Sequence, residues 1–204
     1  DASTRLGAGT PGHLCAKALF AEYPLAQIDL VAPTEPAGNA ATATVTFDDT
    51  TPVSSAQTVT LYALGREIQI VWQAAELDTA AATKLVAAVN AQTSDLPITA
   101  ANGGGSLAVV TLTFKQKGTI GNDALLYLTV VDGAGGSVAL SGNMGSVVAG
   151  TTECVLTTAL TTISGREYDF IIPCLSNTDV ALASATSGPG RVKTHIRALD
   201  QGFS

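Results

Sequence analysis

Between Ala41 and Leu140 apolar and polar residues alternate in steps of two over run after run, and that period constrains the fold more than any other feature of the chain. Residues two apart share a face only when the backbone is extended. In "ATATVTF" the threonines Thr42, Thr44 and Thr46 face one way, and Val45 and Phe47 the other. The runs "QTVTLYAL" and "REIQIVW" meet across Leu64-Gly65, which predicts a tight hairpin, with Trp72 closing one side of its core. "LPITAA", "LAVVTLTF", "ALLYLTVV" and "SVAL" continue the pattern, separated by Asn102-Gly103-Gly104-Gly105, by "KQKGTIGND", by Asp132-Gly133 and by Gly135-Gly136. One segment breaks the period. After Asp78 and Thr79, either of which can accept hydrogen bonds from free helix N–H groups, "AAATKLVAAVNAQ" sets Ala82, Leu85, Val86 and Val89 on one apolar stripe. Residues 37–150 are therefore predicted to form a β-rich domain, a barrel or sandwich of six or more strands containing one helix.

The flanks follow another rhythm. Pro11 to Tyr23 has helical spacing, with Leu14, Ala18 and Ala21 on one face beside Cys15, and Pro24 ends it. Ile28 to Ala32 then reads as a short strand stopped by Pro33 and Pro36, and "PTEPAGNAA" is fit for a crossing between domains. Beyond Gly150, "TECVLTTALTTI" suits a helix, "YDFIIPCL" a buried strand, and "TDVALASA" a helix opened by Thr178 or Asp179. The expected fold class is α+β: residues 1–36 and 151–204 form one discontinuous α/β domain, with 37–150 inserted into it. Such an insertion requires the two ends of the inserted piece to lie close together.

Composition excludes some partners. Ten Lys and Arg stand against 17 Asp and Glu, a net charge of -7, which argues against nucleic acid and against an acidic membrane surface. Charged residues are 13% of the chain, about half the usual ~25%. A surface so small and neutral is easily desolvated for subunit packing, and a Thr- and Gly-rich β scaffold has the same composition. No run of about 18 uncharged apolar residues occurs, nor a basic leader followed by an apolar run, so the chain reads as soluble and unexported. It starts at Asp1 rather than Met and reads as a piece of something longer.

Candidate chemistry is sparse. Gly7, Gly9 and Gly12 match G-x-G-x-x-G, but a phosphate-binding fingerprint must follow a strand, and only "DASTRL" precedes it. The acidic partner about 20 residues on could only be Asp29, placed within the expected strand rather than at its end. A glycine-rich approach to a helix is the better reading. His13 and His195 lack zinc spacing relative to Cys15, Cys154 and Cys174, whose thiols are read as buried. A satisfied imidazole on a surface helix is expected instead. There is no G-x-S-x-G elbow, and a cysteine with a remote histidine has no specificity. Asp48 and Asp49 read as a solvated strand-end turn rather than an acid/base or calcium pair, and Glu76 and Asp78 as helix-start charges. Lys115 and Lys117 make one mild basic cluster. Arg191, Lys193 and Arg197, set against Asp200, make another, either a solvated face or a contact between one copy's tail and another's acidic body. No catalytic residue, cofactor or metal is expected.

Taken in order, the segments resemble the sheath protein of contractile phage tails, in its Mu-like branch. "LGAGTPGHLCAKALFAEYP" is similar to that family's opening helix through Gly7, Gly9 and Pro24. "GREIQIVW", "DTAAATKLVAAVNAQTSDLPITAA" and "VVTLTFKQKGTIGND" resemble its inserted β domain, where a hairpin precedes an Ala-rich helix, "LP" leads into a strand, and Lys117, Gly118, Gly121 and Asn122 close the next loop. "REYDFIIPCLSNTDVALAS" resembles a "Y-D-x-I-x-x-P" strand with its following helix, through Tyr168, Asp169, Ile171 and Pro173, with Cys174 in place of a more usual aromatic. The resemblance implies a structural subunit without catalytic residues, stacked with other sheath subunits in sixfold rings around a tail tube in the virion. It also implies a central fragment lacking the terminal arms, and so a monomer in isolation. Two other classes remain open at this point: an all-β surface adhesin module without flanking helices, and a nucleotide-dependent enzyme.

Overall fold

The computed structural model describes residues 2–25, 29–32, 34–103, 108–152 and 157–163. Helices α1 (Ala2–Leu6) and α2 (Pro11–Glu22) come first. Then follow β1 (Ala40–Asp48), β2 (Gln57–Ala63), β3 (Arg66–Trp72), α3 (Asp78–Ala91), β4 (Ile98–Asn102), β5 (Val109–Lys117), a single 3-10 turn (Thr119–Gly121), β6 (Leu126–Val131), β7 (Ser137–Leu140) and α4 (Thr157–Ile163). The fold is α+β, with one sheet ordered β4-β5-β1-β7 and a second ordered β3-β2-β6. Every described strand pair is antiparallel.

The alternation in the sequence is the reason the sheets face each other. On β1, Ala41, Ala43, Val45 and Phe47 are buried while Thr42, Thr44 and Thr46 lie on the outer face. Val110, Leu112 and Phe114 of β5 continue that inner face, and Val59 and Leu61 of β2 with Ile68, Ile70 and Trp72 of β3 meet it from the other sheet. Trp72 is fully buried and meets the Phe47 ring edge-on, centroids 5.5 Å apart, while its indole N–H donates to the Glu76 carbonyl at 2.9 Å. Each large side chain removed from water in this way contributes roughly 1.5–3 kcal/mol. The core is thus shared by both sheets.

Helix α3 joins the sheets along one side. It connects β3 to β4, the edge strands there, and packs on both through Ala81, Ala82, Leu85 and Val89. Asp78 stands at its first position and takes the Thr79 N–H at 2.6 Å. On the opposite side β6 and β7 lie next to one another. The β2–β3 hairpin turns on Leu64 and Gly65, both at positive φ (50° and 78°), as a two-residue type I′ connection requires.

Several sequence expectations need correcting. Asp29 to Ala32 is irregular rather than a strand. On α2 the buried residue is Ala16; Ala18 and Ala21 are exposed, and Cys15 is only half-buried. Glu76 precedes α3 instead of starting it, and pairs with Lys84 at 2.7 Å. The expected helix after Gly150 is present from Thr157 to Ile163, whereas the expected strand and helix from Tyr168 onward lie outside the described residues.

Candidate functional site

The described residues bring no catalytic constellation together. Among them no group of three His, Cys, Asp or Glu could hold a metal ion, and no helix is long and apolar enough to cross a membrane. Residues 2–6 are helical, so Gly7 and Gly9 connect two helices, Gly12 lies in the first turn of the second, and the strand that a phosphate fingerprint requires is not what precedes them. Asp48 accepts from the backbone N–H of Thr50 at 2.8 Å and from its hydroxyl, an Asx turn; the Thr50 hydroxyl and then its amide hold the carboxyl below the usual range. Asp49 takes the Asp78 N–H at 3.2 Å. Burial pushes the Glu76 carboxyl up, but the bond from Lys84, the Gln73 amide and the lysine's charge outweigh it and hold the group low. Cys154, Cys174, His195, Arg191, Lys193, Arg197 and Asp200 lie outside the described residues.

What the structure builds instead is two polar seams on the β body formed by β1–β7 and α3. The first lies where the chain comes into that body and leaves it. The backbone N–H of Asn39 donates to Oγ1 of Thr151 at 3.0 Å, and the Thr151 N–H returns to the Asn39 carbonyl at 3.2 Å. The Gly118 N–H also reaches the Asn39 carbonyl, at 3.0 Å, and the Lys117 N–H donates to Glu35 at 3.2 Å. Across this stem Asn122 grips Gly150 with both ends of its amide, Oδ1 accepting the glycine N–H at 2.7 Å and Nδ2 donating to its carbonyl at 3.1 Å. Gly150 must be glycine, because a Cβ would run into the Gly118 carbonyl. Incoming and outgoing segments therefore sit side by side, as an inserted unit requires.

The second seam holds the N-terminal helices against the α3–β4 loop. Gly9 is buried at φ +72°, and a Cβ there would strike the carbonyls of Thr93 and Leu96 and the Nζ of Lys115. Lys115, on the outer face of β5 after Val109, Thr111 and Thr113 and two residues before Lys117, donates to the Ala8 carbonyl at 2.8 Å and to that of Thr93. Burial pushes its ammonium below the usual lysine range. Lys17 of α2 pairs with Asp95, and that hydrogen bond, chiefly, holds the Asp95 carboxyl low. His13 is half-buried and its Nδ1 accepts the Gly9 N–H at 2.9 Å. Sequence reasoning gave Lys115 and Asn122 no such roles; the one available signal was a lysine interrupting a face of threonines.

No protein-family model matches the chain, and no curated protein sequence matches it. Among solved structures, the chain is similar to the D2–D3 domains of the flagellar cap protein FliD from Escherichia coli, at 16% identity and a TM-score of 0.31, over 63% of this chain and 77% of that one. It is similar to the D1–D2–D3 domains of the same protein at 14% identity and a TM-score of 0.30, over 60% of this chain and 42% of that one.

Proposed function

We propose that this chain is a structural subunit of a contractile tail sheath, of a phage or prophage, packing with copies of itself in sixfold rings around the tail tube in the virion. What supports the reading is the order of the resembling segments on the fold. The hairpin β2–β3 precedes the Ala-rich α3, Leu96-Pro97 leads directly into β4, and Lys117 to Asn122 closes the loop that grips Gly150. In this reading residues 37–150 are a lobe hung by the stem from an α/β domain made of 1–36 and 151–204. A lobe carried by two adjacent segments can ride on a moving lattice without being unfolded by it, since force passes through the stem and bypasses the core. The outer threonines Thr42, Thr44 and Thr46 of β1 and Thr111 and Thr113 of β5 give such a lobe a neutral stretch whose contacts exchange at little desolvation cost.

The test is electron microscopy of the full-length gene product expressed with its neighbouring genes. Tubular polymers with sixfold rings are expected, and a product that stays as dispersed particles at every concentration and in the presence of a tail tube refutes the reading.

A further inference from the structure

His13 is the third residue of α2, and its ring takes part in closing the helix's first turn. Nδ1 accepts the Gly9 N–H at 2.9 Å, while the His13 backbone N–H turns back to Oγ1 of Thr10 at 3.4 Å. This is the reciprocal exchange of a capping box, shifted by one residue, with an imidazole where glutamate or glutamine usually stands. The replacement matters because a glutamine keeps its acceptor at every pH, whereas a protonated imidazole carries N–H on both ring nitrogens and accepts nothing.

Gly9 is also where the backbone of the N-terminal segment comes closest to the β body. Its backbone sits against the Thr93 and Leu96 carbonyls beside Lys115, with no room for a side chain. The bond that orients the Gly9 amide thus orients this close approach.

We infer that His13 is an acid-sensitive latch: protonation sets two N–H groups face to face at Gly9 and loosens α1 and α2 from the β body while the body stays folded. The surrounding charges act in the same direction. The N-terminus of α2 is the positive end of its dipole. Arg5 lies in the last turn of α1, Lys17 one turn farther along α2, and Lys115 reaches in from β5. Asp95, from the α3–β4 loop, is an acid that meets α2 here, and Lys17 already engages it. With its carboxyl held low by that lysine, Asp95 stays ionised while an imidazole titrates, so its protonation does not imitate the effect. The latch operates whatever assembly the chain serves.

Hydrogen exchange followed by mass spectrometry on the full chain, at about pH 7.5 and about pH 5.5 with intrinsic rates corrected, reads the latch directly. Protection of residues 7–14 is expected to fall about fivefold to tenfold in acid, the equivalent of one hydrogen bond, while peptides from β1 to β5 keep theirs. His13→Gln should hold protection at the neutral value at both pH values, and His13→Ala should lack it at both. A wild-type chain with no differential loss overturns the inference. So does a His13→Gln chain that still loosens in acid, or one already loose at neutral pH. In the unmodified protein, the amide nitrogen shift of Gly9 must follow the ring titration of His13, and an amide that stays flat across it overturns the latch independently of any variant.

Discussion

The β body and the N-terminal helices are held by different physics, although they touch. All the fully buried apolar side chains among the described residues belong to the body except Ala16. The helices rest on it through one glycine approach, one ion pair and a lysine reaching two carbonyls, while Tyr23 and Leu25 at the end of α2 stay exposed, the latter at 96%. Burial is non-directional and accumulates over many side chains, so the body opens only as a unit. A seam of a few directional polar contacts opens locally, at a free energy far below that of global unfolding. Rigidity and adjustability are thus assigned to separate parts of one chain.

The largest effect expected from this contrast is at Trp72. Trp72→Ala removes a fully buried ring, its edge contact with Phe47 and its bond to the Glu76 carbonyl, and should cost about 3–5 kcal/mol in urea unfolding. Because the helices lean on the body and contribute little to it, α1 and α2 should lose protection no later than the body does. Helices that keep protection after the body has unfolded would break the comparison, since they would then be independently stable.

The body was legible in the sequence because a period of two with one apolar face leaves little choice of structure. Thr42, Thr44 and Thr46 against Val45 and Phe47, the Leu64-Gly65 turn and the α3 stripe could all be read within a few residues of themselves. The seams could not, because their partners are far apart: Asn122 meets Gly150 and Lys115 meets Ala8 only after the chain has folded. The N-terminal helix misled for a different reason. Leu14, Cys15, Ala16, Ala18, Leu19, Phe20 and Ala21 surround α2 with apolar residues, so spacing alone does not single out the face that carries Ala16. Ile28 to Ala32, a mostly apolar run between Pro24 and Pro33, reads locally as a strand, yet a strand is defined by pairing that local sequence does not show, and Asp29 to Ala32 is irregular.

A smaller effect is expected at the stem. Asn122→Ala strands the N–H and carbonyl of buried Gly150, a loss of about 2 kcal/mol by denaturant titration. It should also expose the stem to limited proteolysis between residues 117 and 122 or near 150, while α3 and β2 keep their hydrogen-exchange protection. Loss of protection in α3 equal to that at the stem would mean that the clamp belongs to the core and is no junction, and the contrast between body and seams would have to be redrawn.

The smallest effect is at Lys17, and it discriminates most finely. An exposed ion pair contributes little to global stability, so Lys17→Ala should move the unfolding midpoint by no more than about 2 °C while exchange across α2 rises severalfold. Its pH dependence has a definite sign. Lys17 holds the folded carboxyl of Asp95 below its unfolded value, so the pair's contribution is complete above the ordinary carboxylate range near pH ~4 and is lost as the pH falls through the lowered folded value. That loss lies on the acid side of the imidazole range. Lys17→Ala should therefore erase the loosening of α2 that accompanies protonation of Asp95 and leave untouched any loosening that occurs at higher pH. A variant whose global midpoint drops as far as that of Asn122→Ala would place the helices inside the cooperative unit, and the division between a rigid body and an adjustable flank would fail.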